Sequence, residues 1–101
     1  MQTTRLKLVT IIAERILEDR LVRALKQIGA RGYTISGEVR GEGTRGVMAI
    51  DWEGQSVRIE TLVSAEVAER ILSHMAEHYF TDFAVIAYSV EAEVLRREKY
   101  L

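Results

Sequence analysis

The densest concentration of chemistry-bearing residues in the chain is "GEVRGEGTRGV", Gly37 to Val47, with four glycines, two arginines and a threonine in eleven residues. Glycines let backbone N–H groups converge on an anion, and a guanidinium adds a bidentate, charge-assisted clamp. Gly41, Gly43 and Arg45, with Arg40 as a fourth candidate, meet those requirements. The competing reading is a charged hairpin tip without a ligand. A second pair, Arg58 and Glu60, shares one face of a strand that otherwise reads apolar. Arg58 could meet a phosphate, and Glu60 could accept from an amino group or order the loop base. A second, smaller anion would need the same donors, with Arg45 and Arg58 as its candidates. His74 and His78 stand at i and i+4 on a helix-type pattern, a spacing able to chelate zinc or copper. They are the only two histidines, and no cysteine accompanies them. No nucleophile–base pair or carboxylate dyad is recognisable, so no catalytic residue is assigned.

The bulk composition narrows the field further. The chain has 101 residues, the size of one domain. Fourteen basic against fifteen acidic residues leave a formal charge of −1, which gives no long-range attraction to nucleic acid or an anionic membrane. The absence of cysteine excludes disulfides, thiol catalysis and cysteine-based zinc sites. No stretch approaches the ~20 apolar residues of a membrane span, and "MQTTRLKLV" lacks a signal-type apolar run. These features predict a cytoplasmic location.

The elements that must hold these residues are legible from hydrophobic period. "RLKLVTIIAE" (5–14) reads as a strand, and "RILEDRLVRALKQIG" as a helix with Leu17, Leu21, Leu25 and Ile28 on one stripe and Gly29 at its end. "GYTISGEV" is a second strand. Residues 55–63 form a third, with Val57, Ile59, Thr61 and Val63 alternating against Arg58 and Glu60. Ser64 is placed to cap a helix carrying Val67, Ile71, Met75 and Tyr79. "FAVIAYSV" (83–90) is a fourth strand, followed by a charged tail. The order β-α-β-β-α-β predicts an α+β, ferredoxin-like fold, with an antiparallel four-stranded sheet and both helices on one face. The first and last strands are apolar on both sides. Leu6, Leu8 and Ile12 alternate with Val9 and Ile11, so the open face needs a cover. Self-association is the simplest one, and charging that face, for example through Val9→Glu, is expected to break the assembly.

At Gly32-Tyr33-Thr34, Gly41-x-Gly43-Thr44-Arg45 and Val57-Arg58-Ile59-Glu60-Thr61-Leu62-Val63 the sequence resembles the PII signalling superfamily. There a Gly-Met-Thr strand runs into a Gly-x-Gly-Arg stretch that opens the long T-loop. Tyr79-Phe80-Thr81-Asp82-Phe83-Ala84 looks closest to the PII-like branch tied to bicarbonate uptake and carboxysomes. The resemblance implies a single domain over 1–101 with a T-loop at about 37–55. It also implies a homotrimer with nucleotide clefts between subunits, and a non-enzymatic sensor whose T-loop engages a bicarbonate transporter or carboxysome component. Such a protein would sit in the cytoplasm, at the membrane through the transporter, or with carboxysomes. Carried over by position, the nucleotide-binding candidates are Ile11, Gly32, Thr34, Gly41, Gly43, Arg45, Arg58, Glu60, Leu62, Phe83, Ala84 and Arg97. Departures set further expectations. "HYFTDFA" lacks the glycines and lysine that hold the outer phosphates of ATP, so AMP, ADP or cyclic AMP fits better, with bicarbonate as a second candidate ligand. The loop has no tyrosine for uridylylation. Of the paired arginines near the chain end, Arg97 and Arg96 are the counterparts and Leu95 takes the other place. The alternatives are a CutA-like trimeric metal binder using His74 and His78, and an ACT-like small-molecule domain.

Overall fold

The structure, a computed structural model, describes residues 2–37, 39 and 56–101. Its elements are β1 (Thr4–Glu14), α1 (Glu18–Ile28), β2 (Thr34–Ser36), β3 (Ser56–Val63), α2 (Ala65–His78) and β4 (Ile86–Val94). They form one antiparallel four-stranded sheet in the order β2-β3-β1-β4, the ferredoxin-like α+β fold expected from the element order. The expected T-loop lies outside the described residues apart from Gly37 and Val39.

Both helices pack on one face because their stripes have nowhere else to go. Leu17, Leu21 and Leu25 from the first helical segment meet Ala68, Ile71 and Met75 of α2 over Val9, Ile11, Val57, Ile59 and Val63 of the sheet. Each fully buried aliphatic side chain contributes about 1.5–3 kcal/mol by leaving water. The helix ends follow local chemistry. Ser64 Oγ accepts from the Val67 N–H at 3.2 Å and starts α2 as expected. Gly29 ends α1 at φ 130°, a conformation that penalises any Cβ, and its N–H returns to the Leu25 carbonyl. One turn of 3-10 helix (Arg15–Leu17) precedes α1, where a single continuous helix was expected.

Register assigns the faces. Ile11 lies opposite Ile59 and Ala87, and Val9 opposite Thr61 and Ser89, so the odd-numbered residues of β1 point at the helices. Leu8 lies opposite Leu62 and Val90, and Ile12 opposite Arg58 and Ile86, so these form the uncovered face. Val9 is 0% exposed. The expectation that it marks the open face is therefore corrected: a strand apolar on both sides hides its parity, and the pairing with β3 decides it. The open face remains apolar toward β4, where Ile86 is 37%, Tyr88 46% and Val90 49% exposed.

The last strand also differs from its expected bounds. It runs Ile86–Val94 rather than 83–90. The Phe83 N–H donates to the Tyr79 carbonyl and holds that residue in the turn leaving α2. Glu91 and Glu93 continue the strand because they stand directly opposite Lys7 and Arg5.

Candidate functional site

The open face is polar at one edge. Thr34 of β2 pairs with Glu60 of β3, which in turn lies opposite Thr10 of β1. One step along, Leu62 and Leu8 are opposite each other. Of these, Thr34, Glu60, Leu62 and Leu8 line a cleft of about 480 Å³ together with Arg31, Gly32, Tyr33, Thr61, Lys99 and Tyr100. Its volume falls in the range of small-molecule sites. Among the described residues, Arg31 and Lys99 against Glu60 leave the lining positive by one charge.

Thr61 anchors the upper wall. Its side chain points to the helix face, and its Oγ1 donates to the Gly32 carbonyl at 2.6 Å. That bond fixes the non-strand segment Gly32–Tyr33 against β3. The Lys26 ammonium lies 5.8 Å from the centre of the Tyr33 ring. Arg31 donates to the Leu101 main-chain oxygen, which brings the Arg97–Leu101 segment to the opposite wall. Past the end of β2, the Val39 N–H donates to the Ser56 carbonyl at 3.2 Å. The Arg15 guanidinium lies beside Gly37, where a Cβ would come within 3.2 Å of Nη2. Val39 is thus bonded to β3, and Gly37 lies next to the helical turn before α1.

Of the residues expected at a ligand site, Gly32, Thr34, Glu60 and Leu62 converge here. Arg58 is exposed on the same face of β3, two residues before Glu60, and does not line the cleft. Ile11 does not reach it: at 1% exposure it sits in the core on the helix side, and Leu8 is the β1 residue that contributes. Phe83 and Ala84 lie on the α2–β4 connection and do not line it within one subunit. Phe83 packs with Tyr79 under the Arg20 guanidinium, which is 5.1 Å from the Tyr79 ring centre and 5.7 Å from that of Phe83. Arg97 is exposed in a helical turn (Arg97–Lys99) and lines no part of the cleft. Gly41, Gly43 and Arg45 fall outside the described residues. Sequence reasoning missed Leu8, Arg31, Tyr33, Thr61, Lys99 and Tyr100 as lining residues. Tyr33 and Thr61 were legible as neighbours of predicted residues, whereas Lys99 and Tyr100 arrive only through the fold.

The two histidines do stack, with ring centres 4.4 Å apart. Among the described residues no group of three or more potential ligands forms. Burial, then the neighbouring His78, holds the His74 imidazole below its ordinary 6.5, against the raising pull of Glu77. The unfolded chain therefore binds more protons than the native one as pH falls through 6.5. Stability on this account is complete above that value and declines below it. His74→Gln is expected to flatten the loss of melting temperature between about pH 6.5 and pH 5, and an unchanged slope would assign that loss to other groups.

The chain is thus a ferredoxin-like α+β subunit with a ligand-sized cleft on its open sheet face. The family described as nitrogen regulatory protein P-II matches residues 6–99, and the chain belongs to it. Among solved structures, a protein of Thermus thermophilus assigned as PII-like and signalling is 53% identical. That match covers 100% of both chains with a TM-score of 0.85. CPII of Thiomonas intermedia, bound to ADP, AMP and acetate, is 22% identical with a TM-score of 0.87, over 99% of this chain and 98% of that one. The same protein bound to ADP and bicarbonate is 23% identical over the same shares, again with a TM-score of 0.87. At that identity the likeness to CPII is one of fold. PII-like proteins are regulatory and non-enzymatic as a family. Among the described residues no helix is long and apolar enough to cross a membrane.

Proposed function

We propose that the chain is a non-enzymatic PII-like sensor, assembled as a homotrimer, that binds an adenine nucleotide in clefts between subunits. The observation that carries this reading is the position of the cleft. Leu8 and Leu62 line it and also belong to the apolar sheet face that continues through Val90, Tyr88 and Ile86. A second copy covering that face would close the cleft and bring its own residues to it, which gives Phe83, Ala84 and Arg97 a place on the opposing wall. Gly41, Gly43 and Arg45 would reach the phosphates from the loop above.

AMP, ADP or cyclic AMP suits the site better than ATP, because "HYFTDFA" brings neither glycine nor lysine to an outer phosphate. The nucleotides and bicarbonate bound to CPII support this ligand class, with bicarbonate as a second ligand for Arg45 and Arg58. The T-loop then regulates inorganic-carbon uptake or carboxysome function through a transporter or carboxysome component. That step requires the nucleotide to bind one loop conformation better than another, since equal affinity shifts nothing.

Calorimetry with AMP, ADP, ATP and cyclic AMP, each with and without bicarbonate, tests the reading. Binding of a mono- or diphosphate is expected, weaker for ATP. Absence of heat with all four at concentrations sensitive to micromolar affinity would end it.

A further inference from the structure

The chain leaves β4 at one edge of the sheet and ends its course beside Gly32, next to β2 at the other edge. This crossing is not required by the core. No residue of the Arg97–Lys99 turn is buried, and none of the segment belongs to the hydrophobic core. Arg96 makes the reversal possible by adopting a left-handed conformation (φ 58°, ψ 55°). After that the segment bonds mainly to itself, with Lys99, Tyr100 and Leu101 N–H groups returning to Arg96 and Arg97 carbonyls. Among the described residues, the one hydrogen bond joining it to the rest of the subunit is from Arg31 to Leu101. Yet Lys99 and Tyr100 form a wall of the cleft.

We propose that Arg31 is a positioning residue. It holds the Arg97–Leu101 segment against the cleft, and the ligand meets a complete pocket only while that tether is made. The inference concerns the same site as the nucleotide reading, but the tether itself does not depend on it. A wall held by one hydrogen bond and by no residue of the core opens more often when that bond is lost, so Arg31 raises the closed population of the segment.

Two measurements test this. In ligand-free protein, trypsin cleavage after Lys99, followed by intact mass, reports the open fraction. Arg31→Ala is expected to accelerate that cut about tenfold, with Arg31→Lys restoring part of the protection and the melting temperature nearly unchanged. The second is a double-mutant cycle read by AMP and ADP affinity. Arg31→Ala and Tyr100→Ala should each weaken binding about tenfold, and the double variant should be no weaker than the poorer single one, because both act through the same wall. Multiplying losses would mean that Arg31 contacts the ligand directly and would overturn the positioning role. So would cleavage indifferent to Arg31, or a released segment with unchanged affinity. If the wild-type chain binds no nucleotide, the nucleotide reading fails, and the trypsin comparison alone decides the tether.

Discussion

Val90→Glu is expected to give a folded subunit that no longer assembles, whereas Val9→Glu is expected not to fold. The two valines are close on neighbouring strands and differ by one step of parity. Val90 lies opposite Leu8 on the open face and is half exposed, so in a lone subunit its replacement by glutamate stays hydrated. In a threefold assembly the same change carries a carboxylate into apolar contact at each subunit. The effective penalty for removing an ion from water is still several kcal/mol per site. That exceeds what a few exposed aliphatic side chains regain by burial. Size-exclusion chromatography with light scattering should show the monomer mass, and thermal melting should show a cooperative transition.

Val9 instead points between the sheet and both helices. A carboxylate there has no partner and must either ionise in the core or raise its pKa to stay neutral. Losses above about 4–5 kcal/mol are expected for such a change, against a total stability of about 5–15 kcal/mol. Circular dichroism should show no cooperative transition. A Val90→Glu protein that keeps the wild-type mass would show that the β4 side of the open face is not the interface, and the cleft would then have to be complete within one subunit.

The same pair of valines shows what the sequence can and cannot reveal. β3 was legible in full: Arg58 and Glu60 interrupt an apolar alternation, so its faces are marked by chemistry. β1 carries Leu6, Leu8 and Ile12 on one side and Val9 and Ile11 on the other, and a two-sided apolar strand has no internal marker. Its parity became fixed only when Ile11 was seen to pair with Ile59. Ile11, carried over by position from the resemblance, lies on the helix side of the sheet. The helices and their ends were readable because Ser64 and Gly29 act locally. Phe83 has a strand former's side chain, yet the packing of Tyr79 and Arg20 keeps it in a turn, an effect of tertiary contact on a weak local preference. Gly32, Thr34, Glu60 and Leu62 could be named because the resemblance to PII proteins carries them over by position, and the pairing of β2 with β3 then sets Thr34 beside Glu60. Arg31 lies one residue from a named glycine, but its role depends on Leu101, seventy positions away. No local pattern carries such a contact.

Glu60→Gln is expected to erode the preference for adenine over guanine. Among the described residues the carboxylate is the one acid in the cleft lining, and it lies between Thr10 and Thr34 on the open face. Ionised, it only accepts hydrogen bonds. The exocyclic amino group of adenine donates, whereas guanine presents a carbonyl oxygen at the corresponding position. A guanine base in the same pose would place two acceptors together, one of them charged. Replacing the carboxylate by an amide keeps the volume and removes the charge, so the strand pairing should survive. A hydrogen bond to a charged group contributes about 1.5–3 kcal/mol, so AMP should bind roughly tenfold to a hundredfold more weakly. GMP should gain, because the amide can turn its NH₂ toward the guanine carbonyl. Calorimetry with AMP and GMP on both proteins reads the gap directly. Equal losses for the two bases would place Glu60 at the ribose, the phosphate or the loop base instead. If neither affinity changed, Glu60 would have no part in binding, and base discrimination would have to come from main-chain groups of the Gly32–Thr34 segment that Thr61 holds in place.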